Sequence, residues 1–265
     1  MHAFEYHKPG STKDALALGK KDEARYLAGG QSLVQAMKLR LSSPSDLVDL
    51  AAIKDLVGIK ASKDGVEIGA MTRHADVASS SEVKKTIPAL AALAGIIGDR
   101  QVRHMGTIGG SLANNDPAAD YPAAALGLGA TIVTNKRKIE ADKFFKGLYE
   151  TALEPGELIT SVSFPAPKRA AYMKFKNPAS RFAIVGVFVA DFGGGKVRVG
   201  VTGAGPSAFR HAEMEKALGA KFAPDAVASI KVKPDGLNND LHASPEYRAH
   251  LITVMAKRAV EAALK

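Results

Sequence analysis

The chain has 265 residues, of which 46% are hydrophobic and 24% charged, a balance typical of a soluble globular protein. It contains no cysteine, which excludes disulfides, thiolate zinc sites, iron–sulfur clusters and a cysteine nucleophile within this chain. The net charge of +9 permits an anionic partner, but the basic residues are scattered along the sequence, and surface solvation accounts for most of them.

No stretch of the sequence has the length and apolar character of a membrane span. The weakly polar runs 118–133 and 183–190 are interrupted by Asp120, Pro122 and glycines, or are too short. The amino terminus lacks a basic segment followed by an apolar one, so no secretory signal is predicted. We therefore expect a cytoplasmic protein without a membrane anchor.

The chain begins with a pattern of short strands and helices around a glycine turn. Ser11 to Asp14 has the form of a capping box, and the helix after it is predicted to end near Gly19. A strand over 25–28 runs into Gly29-Gly30, and apolar residues then recur at helical spacing from Gln31. The other predicted elements are strand 46–50, a hairpin of 56–60 and 66–70, a helical turn capped by Thr72, helix 88–97, strands 130–134, 157–164, 172–176, 183–191 and 196–202, and helices near 211–218 and 245–264. Pro165 and Pro167 indicate a boundary between two regions.

Two segments combine consecutive glycines with a serine. They are Ala28-Gly29-Gly30-Gln31-Ser32 and Thr107-Ile108-Gly109-Gly110-Ser111. Glycines at a helix start let backbone amides approach a diphosphate closely, and the serine hydroxyl adds a further donor. A tight turn explains either glycine pair taken alone. Two segments of matching chemistry therefore favour a diphosphate site only modestly.

A third glycine motif competes with this interpretation. Gly203-Ala204-Gly205-Pro206-Ser207-Ala208 matches the dinucleotide fingerprint GxGxxA and follows the predicted strand 196–202. Against that interpretation, Pro206 removes an amide where the fingerprint uses backbone donors, and few residues remain to build a wound parallel sheet. We interpret the motif as a loop with a chance match.

The histidines do not form a recognisable catalytic or metal site. His74 and His104 have no acid, serine or metal-spaced partner nearby in the sequence, so ordinary polar or capping roles are expected. We predict no catalytic residue and no metal ligand in this chain.

The surroundings of the two glycine segments are more specific than the glycines. Lys38-Leu39-Arg40 follows the first segment, and Asp116-Pro117-Ala118-Ala119-Asp120-Tyr121-Pro122 follows the second. With these neighbours the chain resembles, over essentially its whole length, the FAD-binding medium subunit of the molybdenum hydroxylases, the carbon monoxide dehydrogenase and xanthine dehydrogenase group. It departs at Gln31, where many relatives carry histidine. Glutamine still offers polar donors, so this difference bears on flavin tuning rather than on binding.

The resemblance implies an α+β chain with two domains. A bipartite FAD-binding fold of the vanillyl-alcohol oxidase type would occupy 1–168, in subdomains of about 1–54 and 55–168. A small α+β domain of the carbon monoxide dehydrogenase flavoprotein type would occupy 169–265. The glycine segments would hold the FAD diphosphate from two sides. By position, Asp120 would contact the ribose or adenine side, Ile159 would pack on the adenine portion, and Lys174 would lie near the flavin ring.

The resemblance also implies an oxidoreductase that transfers electrons. Hydroxylation would occur at a molybdenum cofactor in a large partner subunit, and electrons would pass through [2Fe-2S] clusters of a small subunit to FAD in this chain and then to an external acceptor. The assembly would be a dimer of heterotrimers without nucleic acid. Two other hypotheses remain: a self-contained FAD-dependent oxidase or reductase, and a nucleic-acid or regulatory module indicated only by charge.

Overall fold

The computed structural model describes the whole chain, Met1 to Lys265, as three main sheets flanked by helices. The first part contains β1 (Glu5–His7), α1 (Thr12–Leu18), β2 (Arg25–Leu27), α2 (Leu33–Lys38), β3 (Asp46–Asp49) and a 3-10 turn (Lys54–Leu56). The middle part contains β4 (Ile59–Ser62), β5 (Gly65–Gly69), α3 (His74–Ser79), α4 (Ser81–Thr86), α5 (Pro88–Gly95), α6 (Arg100–Met105), α7 (Ile108–Asn114), α8 (Tyr121–Leu128), β6 (Thr131–Thr134), β7 (Lys138–Glu140), α9 (Ala141–Phe144), β8 (Phe145–Gly147), β9 (Glu150–Thr151) and β10 (Ile159–Pro165). The last part contains β11 (Arg169–Lys176), β12 (Ala183–Asp191), β13 (Val197–Thr202), β14 (Phe209–Arg210), α10 (Ala212–Ala220), α11 (Asp225–Ala228) and α12 (Pro245–Ala263).

The first sheet is parallel and has the order β1-β3-β2. All four residues of β3 are buried, as expected for the central strand of a covered sheet. Helix α1 begins as predicted, because the Ser11 hydroxyl accepts a hydrogen bond from the Asp14 amide at 3.1 Å. Strand β2 is an outer strand of this small parallel sheet, and the first glycine segment begins directly after it.

The second sheet is antiparallel, with the order β4-β5-β10-β6-β7. Helices α3 to α8 are all inserted between β5 and β6, and they pack on this sheet around a core that includes Leu90, Ile108, Phe144 and Phe164. The predicted hairpin is confirmed by the pairing of β4 with β5. The second glycine segment therefore belongs to a helical layer that covers the second sheet.

The third sheet is antiparallel, with the order β11-β12-β13-β14, and it has a different core on each face. All nine residues of β12 are buried: Phe188 packs with the helical layer of the second sheet, whereas Val187 packs with α12. A Cβ atom on Gly200 of β13 would overlap the Ala123 carbonyl oxygen, so this glycine allows α8 to lie directly on the sheet. Helix α8 is buried on every side.

One prediction of local structure is wrong, and helices α6 and α8 were not predicted. The Thr72 hydroxyl does not cap a helix; it accepts a hydrogen bond from the Gly58 amide and donates one to the Gly58 carbonyl, and Arg73 occupies the cap of α3. Segment 100–105 is helix α6, which was not predicted. The second glycine segment lies in the first turn of α7, as expected for glycines at a helix start. Helix α8 was not predicted, because its sequence is apolar all round and has no amphipathic period.

The third glycine motif is a loop, as predicted. Gly203 has a φ of +82° and its amide donates to the Pro117 carbonyl at 2.7 Å. The chain then continues into the short strand β14 rather than into a helix, so the Rossmann interpretation is excluded. No helix in the structure is both long and apolar enough to cross a membrane.

Candidate functional site

A cavity of about 530 Å³ lies where the first sheet meets the helical layer of the second. Its volume is in the range of small-molecule and cofactor sites. Most of the predicted site residues line it, namely Ala28, Gly29, Gly30, Gln31, Ser32, Thr107, Gly109, Gly110, Ser111, Asp120 and Ile159. Ile108 and Lys174 do not: Ile108 is fully buried in the core, and the buried side chain of Lys174 pairs with Asp120.

The first glycine segment provides a row of free backbone donors. The amides of Gly29, Gly30, Gln31 and Ser32 donate no hydrogen bond to any other group of the chain. Gly30 has a φ of +74°, a left-handed conformation that glycine adopts without strain. Consecutive free amides on a cavity wall, just before the start of α2, are suited to an anionic group such as a diphosphate.

The second glycine segment differs, because all of its amides except that of Thr107 are occupied. The Ile108 amide donates to the Thr72 carbonyl at 3.1 Å, the Gly109 amide to the Ala70 carbonyl at 2.8 Å, and the Gly110 amide to the Thr107 hydroxyl at 3.2 Å. The expectation of free amides therefore holds for the first segment only. Thr107 keeps a free backbone amide, and the Ser111 hydroxyl makes no hydrogen bond within the chain.

The second glycine pair instead permits close packing. A Cβ atom on Gly109 would lie 2.6 Å from the Cβ atom of Ala70, and one on Gly110 would lie 2.9 Å from the Thr107 hydroxyl. Gly29 of the first segment also permits close packing, because a Cβ atom added to it would overlap the Met105 carbonyl oxygen. Glycines thus bring the two segments together across the cavity.

Asp120 is the acidic centre of a buried network. Its carboxylate accepts a hydrogen bond from the Tyr172 hydroxyl at 2.6 Å and lies 2.9 Å from the Lys174 ammonium. Burial raises the pKa of Asp120 above its usual value, and the Lys174 ammonium and the Tyr172 hydroxyl oppose that shift. Asp120 lines the cavity and Lys174 does not, so Lys174 acts on the site through its ion pair with Asp120.

Tyr172 is a further member of this network. The signal that could have revealed it is spacing: Tyr172 and Lys174 are two residues apart on β11, so their side chains leave the same face of the strand. Both then reach the same carboxylate.

His74, predicted to be an ordinary polar residue, lines the cavity and is buried. Its Nδ1 atom has no hydrogen-bond partner, and its ring lies 5.2 Å from the ring of Tyr121. Burial and, to a lesser degree, the positive charge of Arg103 lower the pKa of His74 from 6.5 to about 4. The imidazole is therefore neutral at physiological pH.

This neutral histidine predicts an acid-sensitive stability. Because the pKa of His74 is lower in the folded than in the unfolded chain, its contribution is fully present above pH 6.5 and is lost as the pH falls toward 4. The shift corresponds to about 3 kcal/mol of unfolding free energy. We expect His74→Gln to flatten the decline of stability between pH 6.5 and 4, measured by urea denaturation. The exposed His250 supplies the control, since His250→Gln should keep the wild-type slope. An unchanged slope in His74→Gln would contradict the assignment.

Glu157 and Ile159 form another part of the cavity wall. Burial alone would raise the pKa of Glu157, but hydrogen bonds from Arg137, the Glu154 amide and Thr134 lower it to about 2. Glu157 is thus an ionised, fully engaged carboxylate that holds the turn before β10 in place. No group of three or more His, Asp or Glu side chains in the chain is arranged to hold a metal ion.

Comparison with known proteins covers the whole chain. Residues 2–167 match the family described as the FAD binding domain in molybdopterin dehydrogenase. The chain is 35% identical to the glyceraldehyde dehydrogenase medium chain of Sulfolobus acidocaldarius, over 97% of this chain and 96% of that protein. It is 37% identical to the carbon monoxide dehydrogenase medium chain of Afipia carboxidovorans, over 98% and 96% respectively.

The solved structures agree with the sequence comparison. Reconstituted CO dehydrogenase from Oligotropha carboxidovorans contains a chain that superposes with a TM-score of 0.91 and 36% sequence identity, over 99% of this chain and 98% of that one. The similarity therefore includes both glycine segments, the helical layer and the third sheet.

Proposed function

The chain belongs to the family of FAD-binding domains of the molybdopterin dehydrogenases, and from this premise we propose that it passes electrons from an iron–sulfur partner subunit through FAD to an external acceptor. As a member of this family it is the FAD-binding oxidoreductase subunit of a multi-subunit molybdenum hydroxylase. The resemblance found in the sequence is thus confirmed. The observation that carries the proposal is the cavity walled by free backbone amides.

The residues of the cavity fit FAD chemically. The free amides of 29–32 and the free Ser111 hydroxyl are donors suited to a diphosphate, and we propose that they hold it. Ile159 offers an apolar surface to a ring, and Asp120 offers a carboxylate to hydroxyl groups or a ring N–H. We propose that Lys174 positions Asp120 rather than contacting the cofactor. When bound, FAD supplies the redox chemistry, while the chain supplies position, charge and exclusion of water.

We further propose that the fold is bipartite in the vanillyl-alcohol oxidase manner. The parallel sheet within 1–54 and the antiparallel sheet within 55–168 flank the cavity, which supports two subdomains. A C-terminal domain at 169–265 is supported by the third sheet, which begins at Arg169, and by the family match, which ends at 167. The close packing of α8 on β13 would fix this domain against the FAD-binding part.

The electron source is proposed to lie in other chains. Because this chain contains no cysteine, [2Fe-2S] clusters would be held by a small subunit, and the molybdenum cofactor by a large one. The relatives named above are medium chains, which supports a heterotrimer and, by extension, a dimer of heterotrimers.

The proposal is tested by cofactor uptake and by co-purification. The purified chain is expected to be yellow, or to become so with added FAD, and to release about one FAD per chain on denaturation. The native complex is expected to contain molybdenum and iron. A colourless chain that takes up no FAD would contradict FAD binding. Turnover of a substrate by the isolated flavoprotein would instead favour a self-contained oxidase or reductase.

A further inference from the structure

His74 is a buried polar side chain on the wall of the cavity, and it has no hydrogen-bond partner within the chain. It is 5% exposed, its Nδ1 atom is unpartnered, and its Nε2 atom makes no hydrogen bond either. Tyr121 and Arg248 also hold a buried unpartnered atom, but neither lines this cavity. Because the large majority of buried polar side-chain atoms are hydrogen-bonded, the His74 imidazole indicates a partner from outside the chain.

The imidazole of His74 lies close to the point where the two glycine segments meet. A Cβ atom on Gly106 would lie 2.4 Å from the Nε2 atom of His74, so the ring lies directly against this glycine. Gly29 of the first segment packs on the same residue, since a Cβ atom on Gly29 would lie 2.9 Å from the Gly106 Cα atom. Thr107, whose backbone amide is free, follows Gly106 in the chain. His74 is therefore next to the backbone donors that we assign to the diphosphate.

The position of the imidazole is fixed by the chain itself. The His74 amide donates to the Gly106 carbonyl at 3.0 Å, and the imidazole packs against the ring of Tyr121 with 5.2 Å between the ring centroids. Burial and, to a lesser degree, the charge of Arg103 lower the pKa of His74 to about 4, so the neutral ring carries one N–H donor and one acceptor nitrogen.

The N–H group of this ring complements an ionised phosphate. Phosphate oxygens accept hydrogen bonds, and a hydrogen bond to an ionised acceptor is stronger than one between neutral groups. The backbone amides of 29–32 supply donors from the first segment, whereas His74 supplies a side-chain donor from α3. A donor on a ring that packing already holds in place loses little freedom when a ligand binds.

We propose that His74 is a cofactor-binding residue, which donates its ring N–H to the FAD diphosphate where the two glycine segments meet. The inference rests on the proposed function, because the diphosphate is that of FAD. His74 thereby favours ligands that place an anionic group at this point of the cavity over ligands that do not. It contacts the diphosphate and leaves the flavin ring to other residues.

Removal of the imidazole tests this contact through FAD affinity. His74→Leu, an apolar substitution of similar volume, should weaken FAD binding at least about tenfold, which is about 1.4 kcal/mol, in a fluorescence titration. The FAD-free variant should be no less stable than the wild type in urea at neutral pH, because the buried unpartnered nitrogen atoms are gone. His74→Gln keeps an N–H donor and should restore most of the affinity. His250→Leu, at an exposed position of α12, is the matched control and should bind FAD as the wild type does.

Nuclear magnetic resonance then locates the contact within the cofactor. The imidazole nitrogen signals of His74, assigned by their absence from the His74→Gln spectrum, should shift when FAD binds, and those of the exposed His250 should not. With FAD saturating, the phosphorus signals of the bound diphosphate should differ between the wild type and His74→Leu, because one hydrogen bond to the phosphate oxygens is lost. The visible absorption spectrum of the bound flavin should be the same in both.

The outcomes separate this inference from the proposed function. His74 nitrogen signals that do not move on FAD binding, or a His74→Leu chain that binds FAD as tightly as His250→Leu, would overturn the inference and leave the proposed function intact. A changed flavin spectrum with unchanged phosphorus signals would also overturn it, because the imidazole would then lie at the flavin ring. A wild-type chain that takes up no FAD contradicts the proposed function, and this inference with it.

Discussion

Gly29→Ala is expected to weaken FAD binding by about 10- to 100-fold. The added Cβ atom would overlap the Met105 carbonyl oxygen and would lie 2.9 Å from the Cα atom of Gly106, and backbone atoms cannot rotate away as a flexible side chain can. Overpacking of this kind costs about 1–3 kcal/mol, and each 1.4 kcal/mol is a tenfold change in affinity. The strain falls on the contact that holds the two glycine segments together, so the free amides beside Gly29 would no longer face the second segment in the same geometry.

The measurement is a FAD titration followed by flavin fluorescence, with a second glycine as control. A Cβ atom added to Gly10 would meet no other atom within 4 Å, and the backbone of Gly10 is not left-handed, so Gly10→Ala should bind FAD like the wild type. A Gly29→Ala chain that binds as tightly as Gly10→Ala would show that the close contact of the two segments is not needed for the cofactor.

The two glycine segments show how far a local pattern can be interpreted. In the first segment the amides of 29–32 are free, as the glycine pair and the following helix start indicate. In the second segment the amides of Ile108 and Gly109 bond to the carbonyls of Thr72 and Ala70. Those partners come from the end of the β4–β5 hairpin, far away in the sequence, so no local pattern could separate a free amide from an occupied one.

The same limit explains why helix α8 and the pairing of Lys174 with Asp120 were not predicted. Helix α8 has no polar face, because the third sheet covers one side of it and the helical layer covers the other. A repeat of apolar residues every 3.6 positions reveals only helices that have one buried and one exposed face. Lys174 pairs with Asp120, which lines the cavity and lies 54 residues earlier in the chain, so no local pattern indicates this contact. Hairpin pairing and helix capping were predictable where both partners are near in sequence, as between β4 and β5 and at Ser11 and Asp14.

Asp120→Ala is expected to destabilise the chain by about 3–5 kcal/mol, because it leaves the Lys174 ammonium buried without its partner. Both side chains are almost fully buried, at 2% and 3% exposure, so water cannot replace the carboxylate. The control is an ion pair on the surface: Lys221 and Asp225 lie 2.7 Å apart but are each 68% exposed, so Asp225→Ala should leave stability nearly unchanged. Urea denaturation monitored by circular dichroism measures both variants.

The double variant Asp120→Leu/Lys174→Met then separates the two roles of Asp120. Replacing a buried ion pair by apolar side chains of similar volume is often neutral for stability, so the double variant should recover most of the loss. FAD affinity should not recover with it, because the carboxylate that we propose contacts FAD is still missing from the lining residue Asp120. Recovery of both stability and FAD affinity would mean that Asp120 only supports the fold. Recovery of stability alone would mean that its carboxylate contacts the cofactor, with Lys174 and Tyr172 acting to hold it in position.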